Sequence, residues 1–306
     1  MTRPPRLPPY AMLVVACALW GAATVLAKAL LESIAPVTLL VLQLVPSATV
    51  LWVAVLISGA RLPVRAALPP LLLLGLLNPG LSYTLSLIGL ASIPASVATL
   101  LWAAEPLMIL GLAALVLREP VTLQLLMVMA TGFVGVALVA GVGAGFAIGA
   151  GSPAGIVLLL LAVACCAIYT VFSRKLSDSA DPLAIVAVQQ AAASVWAIAL
   201  LAAHTPYGAP SDILSLDPFV LAAAVASGLM YYAAAYWLYI SALRFVPAAV
   251  AGTYFNIIPI FGVLLAVVFL GERLGLGQWV GAATILLSAI LLVRLTKGAD
   301  EARGGG

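Results

Sequence analysis

From Pro94 to Leu117 the chain runs apolar for the length needed to cross a bilayer, and it carries one carboxylate, Glu105, near the middle. About 20 apolar residues rising 1.5 Å each span the hydrocarbon core as a helix. No water reaches backbone groups inside lipid, so only helices and closed barrels cross it. Barrel strands alternate in polarity over about 10 residues, and this run does not. Similar runs fill most of the 306 residues, of which 65% are hydrophobic and 8% charged, with a mean hydropathy of +1.25. A soluble domain keeps about 25% of its residues charged. The expected class is an all-α integral membrane protein whose main partner is the lipid bilayer.

Ten spans follow from the apolar runs: 11–31, 37–58, 69–88, 95–117, 122–142, 153–173, 182–203, 218–240, 247–270 and 275–295. The connections are short and rich in Pro, Gly or Ser. Arg3 and Arg6 ahead of an apolar run mimic a signal peptide. The run is long and further spans follow, so it reads as a retained first helix. With the N-terminus inside, Arg3, Arg6, Arg61, Arg65, Arg118, Arg174, Lys175, Arg244, Arg294, Lys297 and Arg303 fall on the inner side. Only Lys28 and Arg273 remain outside, which accounts for all 13 cations. The positive-inside bias therefore places both termini in the cytoplasm.

The stretch at 94–120 has a counterpart at 247–273. A shift of 153 puts Pro94 on Pro247, Pro106 on Pro259, Glu119 on Glu272, Gly75 on Gly228 and Tyr83 on Tyr236. In the earlier part of each half a shift of 146 puts Thr24 on Thr170, Lys28 on Arg174, Pro36 on Pro182 and Gln43 on Gln189. The longer loop at 204–217 accounts for the change of offset. Residues 11–142 and 153–295 thus read as two five-span copies joined by a Gly-rich linker at 143–152, with a flexible tail at 296–306. Five is odd, so the second copy enters the membrane in the opposite sense. Such an inverted repeat is the architecture of alternating access, with solute held near the midplane.

The doubled five-helix plan, Trp20-Gly21, Pro94 and Pro247 at span starts, Pro106 and Pro259 within spans, Glu119 and the closing Gly271-Glu272-Arg273 resemble the EamA branch of the drug/metabolite transporter superfamily. The resemblance covers about residues 11–295. It implies ten helices, with the first four of each half around a central cavity and the fifth and tenth at the periphery. It also implies export of small metabolites, often amino acids, or of toxic compounds, usually across the bacterial inner membrane. Arg118-Glu119-Pro120 departs from the Gly-Glu-Arg pattern of the second copy, so the two copies are not expected to play equal roles.

Glu105 heads the candidate residues. A charged side chain at helix centre costs about 2.5–3.5 kcal/mol on insertion scales, so it needs a cavity, a partner or a proton. Such a carboxyl can exchange a proton with a cavity and couple transport to a proton gradient; the bland alternative is a helix-to-helix hydrogen bond. Its repeat mate is Ile258. Trp20, Tyr83, Trp102, Tyr232, Tyr236 and Tyr254 lie deep enough to line a solute site, where rings attract cations and pack flat bodies. Tyr239, Trp237 and Trp279 read as interfacial anchors. Gln43, Gln189 and Asn256 are amides in hydrocarbon, suited to helix–helix bonds or to solute. Asn78-Pro79-Gly80 should break the third span, and Pro106 and Pro259 should kink the fourth and ninth; these are the expected hinges. Lys28 and Glu32 sit i,i+4, as a surface pair or as a gate reaching toward Glu105.

Other chemistry finds little support. Cys17, Cys165 and Cys166 sit in apolar runs without Cys-x-x-Cys spacing and read as buried small hydrophobes. His204 has no second ligand nearby, so neither metal nor cofactor is expected. No His/Asp or Ser/His set and no nucleotide-binding loop occurs, so neither an enzyme nor an ATP-driven pump is expected. No nucleic-acid partner is expected. Gly277-x-x-x-Gly281 offers a weak homodimer motif, through the tenth span or its mate the fifth. The leading expectation is a secondary exporter of small metabolites such as amino acids. A multidrug or lipophilic-cation exporter is the second, and a non-transporting membrane scaffold the third.

Overall fold

Prolines mark where the helices begin. Proline lacks the N–H that a first helical residue would leave unpaired, and its φ is already helical. Helices accordingly start on Pro9, Pro36, Pro153, Pro182 and Pro218. The computed structural model describes residues 7–117, 123–139, 151–173, 176, 180–203, 213, 215–242, 245 and 254–304. The linker at 143–150, Glu119 and Pro247 lie outside them.

The helices are α1 (Pro9–Leu30), α2 (Pro36–Ser58), α3 (Arg65–Ala91), α4 (Ala95–Trp102, resuming as Glu105–Leu117) and α5 (Leu123–Val139). They continue as α6 (Pro153–Ser173), α7 (Pro182–Ala202), α8 (Pro218–Ala242), α9 (a 3-10 turn at Tyr254–Ile257, then Ile258–Leu270) and α10 (Leu276–Gly304). No β-strand occurs among the described residues. Among the described residues six helices, α1–α3 and α6–α8, are long and apolar enough to cross a membrane, and shorter apolar helices lie in α4, α5, α9 and α10. Large apolar side chains such as Leu56, Ile57, Val195 and Phe269 face outward, as lipid solvation requires.

Helix α2 lies along α7, α3 packs on α6 and α7, and α1 packs on α8 and α9. Backbones come close at glycine where α3 crosses α7 and where α8 crosses α2, among other places. A Cβ on Gly75 in α3 would stand 2.4 Å from the Gln189 carbonyl oxygen in α7. A Cβ on Gly228 in α8 would stand 2.4 Å from the Gln43 carbonyl oxygen in α2. Helices α5 and α10 form a pair of their own, with Gly135 and Gly281 each against the other's carbonyl. Gly281 is therefore spent inside the chain, whereas nothing lies within 4 Å of a Cβ on Gly277.

Three local expectations are corrected. Pro106 and Pro259 do not bend continuous helices. In each case the chain tightens into a 3-10-type turn (Ala103 N–H to Leu100 O at 3.2 Å, Ala104 N–H to Leu101 O at 3.0 Å; Tyr254–Ile257), and proline then opens a new helix as its second residue. Proline tolerates that place because its missing N–H would be unpaired there anyway. The last span, expected to end at 295, is instead carried on as helix α10 to Gly304. No proline stands between 276 and 304, and Ala-Asp-Glu-Ala-Arg favours helix.

The third helix does break where expected. Asn78 has extended dihedrals (φ −147°, ψ 117°), the Asn78–Pro79 peptide bond is cis, and the turn Leu76–Leu81 widens to π type. Helix α8 widens in the same way over Leu229–Ala235 without any proline.

Candidate functional site

Between α1, α3, α4, α6, α8 and α9 lies a cavity of about 60 Å³, room for a handful of waters. Glu105 opens the second piece of α4 and lines this cavity, as does Trp102 on the other side of the Ala103–Ala104 turn. Thr170 of α6 donates to Glu105 Oε1 at a long 3.5 Å. Among the described residues lining the cavity Glu105 is the one that carries a charge, and none of them is Lys, Arg or His.

Rings form most of the wall. Trp20 of α1 meets Tyr236, Tyr239 and Phe255 edge-on, with centroids 5.4–5.6 Å apart. Trp102 stacks on Tyr83 at 5.9 Å. Edge-to-face and offset pairs at these separations are the favoured aromatic arrangements. The Tyr83 and Tyr236 hydroxyls lie 2.9 Å apart. They are repeat mates, so the bond joins the same position of the two halves.

A polar thread runs from this pair into α6. Ser82 donates to the Ala162 carbonyl, and its oxygen lies 3.1 Å from Cys166 Sγ. Cys166 donates to Asn78 Oδ1 at 3.2 Å, and Asn78 Nδ2 donates to the Tyr236 hydroxyl at 3.4 Å. The broken turn of α3 thus finds partners for its amide, as a buried polar group must. The widened turn of α8 is served from α7, where Gln190 donates to the Tyr232 carbonyl. The Trp20 indole N–H is buried without a partner among the described residues.

Of the expected site residues, Trp20, Tyr83, Trp102, Glu105 and Tyr236 line the cavity, with hinge residue Asn78. Gln43 instead donates to Ser227 of α8 at 2.8 Å, and Gln189 accepts from Tyr169 at 2.8 Å. Both amides staple helices together. Tyr232 is buried against Tyr83, behind the wall. Tyr254 stacks on Tyr10 at 6.2 Å. Asn256 lies in the 3-10 turn before α9.

Two bland readings give way. Tyr239 is not an interfacial anchor: it lines the cavity against Trp20 and Phe255. Cys166 is a cavity-lining hydrogen-bond donor rather than inert filling. Cys166, Tyr169 and Thr170 share one face of α6, yet small or single-hydroxyl residues in an apolar helix give no warning of it. The Thr24/Thr170 repeat match was the available signal, since both line the cavity.

One end of the bundle is closed by charge. Gly271 ends α9 in the left-handed region (φ +65°), which turns the chain back. Glu272 then reaches α4, where Oε1 accepts from the Ala95 N–H at 2.7 Å and Oε2 from the Ser96 N–H and hydroxyl at 2.8 and 2.5 Å. A carboxylate at a helix N-terminus meets unpaired N–H groups and the positive end of the dipole. Lys28 does the complementary thing at the end of α3, donating to the Leu90 and Ala91 carbonyls at 2.9 and 3.2 Å. It does not reach toward Glu105, because a helix C-terminus offers unpaired carbonyls much closer to hand.

A family model described as EamA-like transporter matches residues 7–141 and again 153–294. This chain belongs to the EamA-like transporter family. Among relatives of this EamA-like protein is an "Uncharacterized transporter" of Archaeoglobus fulgidus, 23% identical over 93% of this chain and 98% of its own. Another is the "Uncharacterized transporter YvbV" of Bacillus subtilis, 26% identical over 94% of this chain and 92% of its own. A crystal structure described only as that of a protein shares the fold, with a TM-score of 0.64 at 21% identity, covering 95% of this chain and 98% of the other. The chain is a multi-pass membrane protein, and its family is one of membrane transporters.

Proposed function

We propose that this protein is a secondary exporter of small organic solutes. In this reading ten spans form two five-span copies of opposite membrane sense, both termini are cytoplasmic, and solute moves by alternating access past Glu105, which exchanges a proton. The observation that carries it is the position of the cavity. It lies between the halves, with one carboxyl in an otherwise uncharged wall and a charge-lined closure beyond it.

Several features favour two equivalent halves. The family model matches twice. Gly75 on Gln189 and Gly228 on Gln43 are the same crossing made twice with the roles of the halves exchanged. The widened turns at Leu76–Leu81 and Leu229–Ala235 begin 153 residues apart, the offset that also relates Tyr83 to Tyr236. Copies related by an in-plane axis exchange an outward opening for an inward one when they swap shapes. The cation count favours cytoplasmic termini, and the closure by Glu272 and Lys28 then faces outside.

Vesicles test coupling and topology separately. Glu105→Gln should abolish the response of solute flux to an imposed pH gradient while leaving counterflow measurable. An unchanged rate and pH profile would remove Glu105 from proton coupling. Cysteines at positions 61 and 244 should label from the cytoplasmic side and one at 210 from the opposite side. A protein that moves no solute from a broad panel would instead be a scaffold.

A further inference from the structure

The wall of the cavity restricts what it can hold. Among the described residues its only charge is the Glu105 carboxyl, to which Thr170 donates from 3.5 Å away. Against it stand the rings of Trp20, Tyr83, Trp102, Tyr236, Tyr239 and Phe255, and among the described residues no basic side chain lines the space. Burying an unpaired carboxylate is costly anywhere in a protein and more so at membrane depth. A solute bringing a carboxylate here finds no cation among the described residues. A solute bringing an ammonium finds an anion and ring faces, both of which attract it.

Lys28 is occupied at the end of α3 by the Leu90 and Ala91 carbonyls. The polar thread Ser82–Cys166–Asn78–Tyr236–Tyr83 is already bonded within itself. Neither supplies a carboxylate site. A volume of about 60 Å³ accepts a headgroup of a few heavy atoms, with any larger body lying between the rings.

We infer that the solute is a monovalent organic amine without a carboxylate, its ammonium at Glu105 and its body between the Trp20 and Trp102 sides of the cavity. This rests on the transporter reading above and narrows it, setting free amino acids aside.

Three ligands with one ring separate the charge classes: phenethylamine (cation), phenylalanine (zwitterion) and 3-phenylpropanoate (anion). Binding to the purified full chain is read by thermal shift and by titration. Phenethylamine should bind about tenfold more tightly than phenylalanine, and 3-phenylpropanoate should not bind. Glu105→Gln should bring the cation down to the level of the zwitterion. In the Glu105→Gln background, Ile258→Glu returns a carboxyl to the cavity wall from α9 and should restore part of the preference. If Glu105→Gln does not fold, Glu105→Asp serves, with a smaller preference expected.

Phenylalanine or 3-phenylpropanoate binding as tightly as the amine overturns the inference, as does failure of all three to bind. So does a cation preference that survives Glu105→Gln. Counterflow of the same ligands in vesicles reads the transporter reading by itself. An amine that binds but is never moved refutes transport and leaves the binding chemistry standing. A zwitterion that is moved does the reverse.

Discussion

Helices α3 and α8 widen at the same place by different means. In α3 the chain spells out a break with Asn78-Pro79-Gly80, and Asn78 leaves helical geometry. In α8 the corresponding turn reads Leu229-Met230-Tyr231-Tyr232 and stays helical while widening just as far. Proline is therefore not what sets the wide turn. Both turns follow a glycine, Gly75 or Gly228, jammed against a backbone of the other half. A π-type turn takes up an extra residue and so re-aims the face beyond it. Those faces carry Tyr83 and Tyr236, which meet. Packing between the halves dictates the shape, and the local sequence only chooses how to accommodate it.

That comparison breaks hardest at the glycines. Gly75→Val and Gly228→Val each push a side chain into backbone that has no room to yield. Each should cost about 3 kcal/mol or more, seen as loss of monodisperse protein and a lower melting temperature. Equal damage at both sites is the expected result, and tolerance at one would show that the crossings are not equivalent. Next comes the closure. Glu272→Gln leaves one acceptor oxygen where two served Ala95 and Ser96, sets an NH2 against the remaining N–H and loses the charge, and should cost about 1 kcal/mol or more at the helix terminus. A cysteine introduced at position 96 should label faster from outside in that variant. Unaltered labelling and melting would mean the cap is dispensable. The subtlest test is Tyr83→Phe against Tyr236→Phe. Each removes one hydroxyl from a shared bond and should cost about 1 kcal/mol. Tyr236→Phe should cost slightly more, because Asn78 also donates to that oxygen.

Much of this was legible from residues that lipid makes anomalous. Glu105, Trp102, Trp20 and the repeat-matched tyrosines stood out because charge and large rings inside an apolar run need a reason, and all of them reach the cavity. At Gln43 and Gln189, where helix–helix bonding and solute binding were both open, the structure shows the helix–helix bonds. An amide in hydrocarbon needs a partner, and the partner turned out to be Ser227 or Tyr169 rather than solute. Thr170 and Cys166 were hidden for the opposite reason, since they are inconspicuous on any helix. The role of Glu272 was out of reach, because nothing local tells a carboxylate after a helix-ending glycine that its partners lie 176 and 177 residues away. The asymmetry between the halves was readable in part. The acid came from the first copy, while the second copy supplies Tyr231, Tyr236, Tyr239 and Phe255 to the wall.

The hydroxyl pair at Tyr83 and Tyr236 has a consequence of its own. Under the proposed exchange of shapes, each partner takes over the other's surroundings, so the bond between them is mapped onto itself. Most other contacts between the halves, including the clasp made by Glu272, must be traded for their counterparts. The two phenols can remain joined throughout, with only the direction of their shared proton reversed, and so serve as the fulcrum about which the rest of the machine tips.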